Sequence, residues 1–135
     1  MILVDTSVII DSLKGVVNEK VELFRKVLKG KLAYGISAYT YQEILQGARD
    51  EHEFKKLKIH LSSVHIYLLP ELVETYEKAA IMYFNLRRHG VTPGSILDVL
   101  IALTAIEYNL YLLHNDKDFD VMSNKIIDLK ILNVL

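Results

Sequence analysis

Short apolar runs alternate with longer amphipathic stretches along the whole chain. Runs rich in β-forming residues predict strands over 2–4, 32–36, 64–69, 111–113 and 131–135. Apolar residues at helical spacing predict helices over 7–13, 17–28, 37–49, 54–61, 72–89 and 96–108. Alternating strands and helices favour a parallel sheet with right-handed crossovers. We therefore predict an α/β fold with three layers, α/β/α, around a central, mostly parallel sheet of about five strands.

The composition is typical of one globular domain. The chain has 135 residues, of which 51% are hydrophobic, and we predict a single domain over 1–135. It has no cysteine, which excludes disulfides and thiolate metal sites and favours a reducing compartment. The start of the chain lacks a basic region and a cleavage site, so we expect no signal peptide. The longest apolar run, 99–103, is far too short to span a membrane, and we expect a cytoplasmic protein.

The charge balance restricts the type of nucleic-acid contact. The net charge is -1, with 16 basic and 17 acidic residues, whereas a protein that binds nucleic acid mainly through phosphate contacts usually has a basic excess. A nuclease stays compatible with this balance, because catalytic acids lower the formal charge and metal ions supply local positive charge. Arg87 and Arg88 close the longest predicted helix, where they either complement the helix dipole or contact RNA phosphate.

Four carboxylates are predicted to meet at one edge of the sheet. Asp5 ends the first strand and Asp116 follows the fourth, and ligands bind beyond the carboxyl ends of parallel strands. Glu43 and Asp98 lie in early turns of helices that start from the same edge. Each acid alone has an ordinary alternative as a helix cap or turn residue. Those alternatives do not predict that all four converge.

A carboxylate cluster of this kind favours a bound cation. Packed carboxylates repel one another, and burial adds to the cost. Oxygen-only ligands suit Mg²⁺ or Mn²⁺ better than Zn²⁺ or copper. These ions suit phosphate-ester hydrolysis, because they lower the pKa of an attacking water and stabilise the departing oxygen. Asp11, one turn beyond Ser7, is interpreted as a surface residue.

An ordered set of motifs extends over nearly the whole chain. The motifs are Val4-Asp5-Thr6-Ser7-Val8, Glu43, Asp98-x-x-Ile101-Ala102 and Asn115-Asp116-x-Asp118-Phe119. Their order and spacing resemble those of PIN-domain proteins, of the kind found as the toxin in VapBC toxin–antitoxin pairs. No single motif is specific, and the resemblance depends on the ordered set.

The resemblance implies a Mg²⁺- or Mn²⁺-dependent endoribonuclease that leaves 5′-phosphate and 3′-hydroxyl ends. It assigns the metal-binding and catalytic roles to Asp5, Glu43, Asp98 and Asp116, with Asp118 as an auxiliary ligand. It assigns supporting roles to Thr6, Ser7, Asn115 and His114. His114 departs from the pattern, because a small hydroxyl residue commonly stands two residues before the first acid of the last pair. Its imidazole could replace that hydrogen bond, contact phosphate or point away.

The resemblance also implies a homodimer and a small VapB-like antitoxin whose C-terminal segment occupies the acidic groove. An alternative function is a non-catalytic PIN-like module that binds RNA or protein, although such modules usually lose acids and this chain retains four. A phosphoacceptor receiver domain is a further alternative. That fold needs an acceptor aspartate after the third strand, and Leu69-Pro70-Glu71 supplies none.

Overall fold

A five-stranded, wholly parallel sheet forms the centre of the protein. A computed structural model describes residues 1–135. The strands are β1 (Ile2–Val4), β2 (Tyr34–Ser37), β3 (His65–Tyr67), β4 (Tyr111–Leu113) and β5 (Lys130–Ile131). Their order across the sheet is β3-β2-β1-β4-β5, with every neighbouring pair parallel. The predicted parallel sheet is confirmed, and β5 is an edge strand as expected, although it is shorter than the predicted 131–135.

Seven α-helices connect or follow the strands. They are α1 (Thr6–Leu13), α2 (Glu19–Lys29), α3 (Ala38–Gln46), α4 (Glu51–His60), α5 (Val73–Arg88), α6 (Ile96–Glu107) and α7 (Lys117–Ser123). No helix was predicted between β4 and β5, so α7 is a difference from the prediction. This helix forms because Asp116 caps it and because it buries Phe119 and Met122 completely. No helix in the structure is both long enough and apolar enough to cross a membrane.

The helices cover both faces of the sheet. Side chains of β1 alternate, so that Ile2 and Val4 pack in one apolar cluster while Leu3 packs in another. The first cluster is completed by buried residues of α1, α2 and α3, including Val8 and Phe24. The second is completed by residues of α5, α6 and α7. This arrangement is the predicted three-layer α/β/α architecture.

The central position of β1 determines where the first acid lies. Its parallel neighbours are β2 on one side and β4 on the other. The ladder continues one residue past the strand, where the Asp5 amide N–H donates to the Leu113 carbonyl oxygen at 2.9 Å. Asp5 therefore lies at the middle of the carboxyl edge of the sheet, the place where ligands bind in this class of fold.

Gly35 in β2 provides a test of the packing between sheet and edge strand. A Cβ atom there would lie 2.5 Å from Tyr67 Cε2 and 2.6 Å from the His65 carbonyl oxygen. Because the second contact is with backbone, Gly35→Ala should lower the free energy of unfolding by about 1 to 3 kcal/mol, measured by urea denaturation. Gly47→Ala is the matched control, since its nearest contacts are 3.5 Å or longer. Equal losses in the two variants would contradict this packing.

Candidate functional site

The carboxyl edge of the sheet carries an open polar cleft. Its cavity volume is about 370 Å³, and a single apolar residue contributes to its wall. The lining residues are Asp5, Thr6, Ser7, Ile10, Asp11, Glu43, Asp98, Asn115 and Asp116. All four acids singled out from the sequence therefore lie around one cleft, although they come from four separate segments of the chain.

Asp5 combines the two roles that the sequence left open. It is the N-cap of α1, and its Oδ2 accepts hydrogen bonds from the Ser7 amide at 3.1 Å and the Ser7 hydroxyl at 2.6 Å. The side chain is also buried against the cleft, and burial raises its pKa despite these hydrogen bonds. The cap fixes the orientation of the carboxylate, and this explains how one residue can serve both the helix and the site.

A chain of buried hydroxyls fixes Glu43. Thr6 Oγ1 lies 2.8 Å from Glu43 Oε1, and because a carboxylate only accepts, Thr6 donates this hydrogen bond. The single hydrogen of Thr6 is then committed, so the Thr40 hydroxyl supplies the hydrogen of the 3.0 Å Thr6–Thr40 contact. Ser37, the N-cap of α3, extends the chain by contacting Thr40 Oγ1 at 3.2 Å. Glu43 makes no capping bond with Thr40, so the helix-cap alternative for this acid is absent.

Asp98 carries the least compensated charge in the cleft. Ser95 caps α6 by accepting from the Leu97 amide at 3.0 Å, and the Asp98 carboxylate makes no hydrogen bond within the protein. Burial, followed by the charges of Asp116 and three further carboxylates, raises the pKa of Asp98 to about 6. A carboxylate in this position is destabilised by its neighbours unless a cation joins the cluster.

The closest group of oxygen atoms comes from Asp98, Asp116 and Asp118. One carboxylate oxygen from each lies within 4.8 Å of the others, which is close enough to share an ion. Asp118 thus belongs to the tightest trio, although the resemblance gave it only an auxiliary role. Carboxylate oxygens are the ligands that Mg²⁺ and Mn²⁺ prefer, and the raised pKa of Asp98 indicates charge that an ion would neutralise. The residues present therefore fit a hard divalent cation.

Gly94 holds Asp118 and was missed by the sequence analysis. Its amide N–H donates to Asp118 Oδ2 at 3.1 Å, and a Cβ atom on Gly94 would lie 2.7 Å from that same oxygen. The residue must therefore be glycine for the carboxylate to keep this position. No sequence signal indicated this contact, because Thr92-Pro93-Gly94 is indistinguishable from an ordinary turn.

Asp11 is a further lining residue, and its interpretation as a surface residue was wrong. It is half-buried and lines the cleft, where its Oδ2 accepts from Asn18 at 3.2 Å and from the Asn115 amide group at 3.5 Å. Ser7 lies one turn earlier on α1 and accepts from the Asn115 backbone N–H at 3.0 Å. The four-residue spacing of Ser7 and Asp11 was the signal that could have placed Asp11 on this face.

His114 lies beneath the cleft and does not line it. The side chain is 1% exposed, and its Nδ1 accepts a hydrogen bond from the Asp116 backbone N–H at 3.0 Å. The sequence left three alternatives for this residue. The structure has the one in which imidazole replaces a hydroxyl as a hydrogen-bond acceptor. Burial lowers the pKa of His114, which favours the neutral ring. Arg87 and Arg88 are exposed at the end of α5 and lie outside the cleft lining.

The parallel three-layer fold with an acidic cleft at the carboxyl edge of its sheet places the chain in the α/β class, and comparison with known proteins identifies its family. The PIN domain family model matches residues 2–125. The chain is 30% identical over 124 residues to the VapC ribonuclease Mb1587 of Mycobacterium bovis and to the ribonuclease VapC11 of Mycobacterium tuberculosis. These alignments cover 91% of this chain and 92% of each relative.

Solved structures share the fold. VapBC2 from Rickettsia felis, bound to a promoter DNA fragment, matches with a TM-score of 0.74 at 23% identity, covering 98% of both chains. VapBC-1 from nontypeable Haemophilus influenzae matches with a TM-score of 0.72 at 23% identity and the same coverage. This chain belongs to the PIN-domain family, and among its members it is similar to the VapC ribonucleases.

The raised pKa of Asp98 predicts how pH affects the stability of the metal-free protein. The folded state binds this proton more tightly than the unfolded chain, whose aspartate has a pKa near 3.8. The raised pKa therefore stabilises the folded state below about pH 4, and this stabilisation is lost as the pH rises through about 6. In EDTA, Asp98→Asn should melt at a higher temperature than the wild type at pH 7, and the difference should shrink towards pH 4.

The matched control is Asp128→Asn, because Asp128 is exposed and does not line the cleft. It should leave the melting temperature nearly unchanged across this pH range. Millimolar Mn²⁺ should then raise the melting temperature of the wild type, since an ion that binds only the folded state stabilises it by mass action. A lower melting temperature for metal-free Asp98→Asn at pH 7 would contradict the account of charge repulsion.

Proposed function

We propose that this protein is a divalent-metal-dependent endoribonuclease, the toxin of a toxin–antitoxin pair, that hydrolyses RNA phosphodiester bonds. The observation that carries the proposal is the convergence of Asp98, Asp116 and Asp118 with Asp5 and Glu43 at one open cleft. The names of the two mycobacterial relatives, both VapC ribonucleases, support RNA as the substrate. The proposal also has the protein act in the cytoplasm, with which RNA as the substrate is consistent.

In this proposal Asp98, Asp116 and Asp118 hold Mg²⁺ or Mn²⁺, and Asp5 and Glu43 complete the ligand set. When bound, the ion supplies Lewis-acid stabilisation of phosphate charge and an activated water. The protein holds the ligands in place beforehand. Ser7 orients Asp5, Thr6 orients Glu43, and Gly94 orients Asp118, each through a hydrogen bond of 3.1 Å or less.

The end of α5 carries two exposed arginines on the side of the molecule where α6 begins. The Lys78–Glu107 ion pair at 3.1 Å joins the first half of α5 to the end of α6, so the two helices run antiparallel. The end of α5, with Arg87 and Arg88, therefore lies towards the start of α6, where Asp98 faces the cleft. Both guanidinium groups approach the exposed Phe84 ring, at 6.0 and 5.5 Å from its centroid. We assign these arginines to RNA phosphate contacts outside the acidic cleft.

The proposed partners are a second copy of the chain and a small VapB-like antitoxin. The structural neighbours include VapBC structures, which supports a VapB-like antitoxin as a partner. We place the C-terminal segment of this antitoxin in the acidic groove. Large exposed apolar residues along α5 support a further protein contact. They include Val73 at 70%, Tyr76 at 57% and Ile81 at 58% exposure.

The cleavage experiment compares purified wild type with Asp5→Asn and Asp98→Asn on a panel of RNAs in Mn²⁺. We expect cleavage by the wild type and a loss of at least about 100-fold in each variant, since even outer-shell partners of metal ligands are worth roughly 10- to 100-fold. EDTA should abolish the wild-type activity. Asp128→Asn, prepared in the same way, should cleave like the wild type and thereby exclude a contaminating nuclease.

The double variant Arg87→Gln/Arg88→Gln tests the assigned phosphate contacts. It should raise KM for RNA and weaken the dependence of KM on salt concentration, while kcat stays close to that of the wild type.

Metal-dependent cleavage retained in Asp98→Asn would remove that residue from the site. Binding of RNA or antitoxin without any cleavage of the panel would instead favour a non-catalytic PIN-like module.

A further inference from the structure

His114 and Asp116 are linked in a way that the ligand set does not explain. The Asp116 backbone N–H donates to His114 Nδ1 at 3.0 Å, and the Asp116 carboxylate Oδ1 accepts from the Asp118 backbone N–H at 2.9 Å. Asp116 therefore has its amide fixed from below and its carboxylate fixed from above. Asp118 is held in turn by the Gly94 amide. The imidazole is the first member of a series of hydrogen bonds that orients two of the three closest carboxylates.

The hydrogen bond from Asp116 is compatible with only one neutral tautomer of His114. A backbone N–H only donates, so Nδ1 must present a lone pair. The neutral ring then carries its hydrogen on Nε2. The opposite tautomer would direct two N–H groups at each other and would release the Asp116 amide. Correct placement of Asp116 therefore depends on which nitrogen of a buried imidazole is protonated.

Asp120 is the group that can select this tautomer. Its Oδ1 lies 3.1 Å from His114 Nε2. The angle at this contact does not meet hydrogen-bond geometry, so Nε2 is buried without a hydrogen-bond partner, while the Asp120 side chain is 61% exposed. Lys20 and Asp5 are the other charged groups that act on the ring, and both are weaker influences than Asp120. A carboxylate that faces Nε2 favours a hydrogen on that nitrogen.

We propose that His114 and Asp120 form a positioning pair for the metal site, in which Asp120 fixes the His114 tautomer and His114 holds the Asp116 backbone. As a positioning device for RNA cleavage this inference rests on the proposed function. The placement of Asp116 by His114 does not depend on the proposed function, because it concerns the folded protein whether or not it cleaves RNA. His114 here performs the task of a small hydroxyl residue, which would accept the same N–H from two residues ahead.

The test uses two variants that differ by one acceptor atom. His114→Thr and His114→Val remove nearly the same volume, but only threonine offers an oxygen to the Asp116 N–H. Isothermal titration with Mn²⁺ alone should show affinity reduced by about 10- to 100-fold in His114→Val and largely recovered in His114→Thr. Circular dichroism melting should show similar stability losses in both, since both leave a similar cavity. Equal Mn²⁺ affinities in the two variants would overturn the role of His114.

The tautomer is measured separately by ¹⁵N NMR of the histidine side chains in the metal-free wild type at neutral pH. His114 should show an unprotonated Nδ1 and a protonated Nε2, and Asp120→Ala should shift both nitrogens towards averaged values. A protonated Nδ1 in the wild type, or an unchanged spectrum in Asp120→Ala, would overturn the proposal. These readouts involve no RNA. An RNA panel left uncut by the wild type would therefore count against the proposed function while leaving the positioning result intact.

Discussion

Electrostatic repulsion among carboxylates at one edge of a parallel sheet is the constraint on which this structure depends. The strand order places Asp5 at the centre of that edge, and the elements around it bring Glu43, Asp98 and Asp116 to the same cleft. Burial raises the pKa of Asp98 to about 6, and repulsion from the neighbouring carboxylates adds to the increase. The protein tolerates this repulsion because two apolar clusters, one on each face of the sheet, stabilise the fold that brings the acids together.

The same contacts cap the helices and orient the acids of the candidate site in this protein. Asp5 caps α1 and Asp116 caps α7, and in each case the cap bond uses one carboxylate oxygen and orients the side chain. Asp98 differs because Ser95 performs the capping of α6, and its carboxylate is left without a protein partner. The site therefore combines anchored acids with one unanchored acid, and the unanchored one bears the largest electrostatic cost.

The sequence predicted the parallel sheet, its approximate strands and the four acids at its edge, because periodicity and chain order determine these features directly. It did not predict α7, whose seven residues are too few to show a clear helical period. It also missed Gly94 and misplaced Asp11, since both depend on the packing of loops and helices distant in sequence. The role of His114 required the direction of one ring nitrogen, which no sequence pattern encodes.

Diffraction from crystals soaked in Mn²⁺ is the most direct test of the central claim, because anomalous scattering locates the ion without reference to activity. The account predicts an anomalous peak among the carboxylate oxygens of Asp98, Asp116 and Asp118, at oxygen distances of roughly 2.0 to 2.3 Å. The peak should be absent from crystals of Asp98→Asn soaked in the same way. No peak in the wild-type cleft, or a peak that persists in Asp98→Asn, would contradict the account.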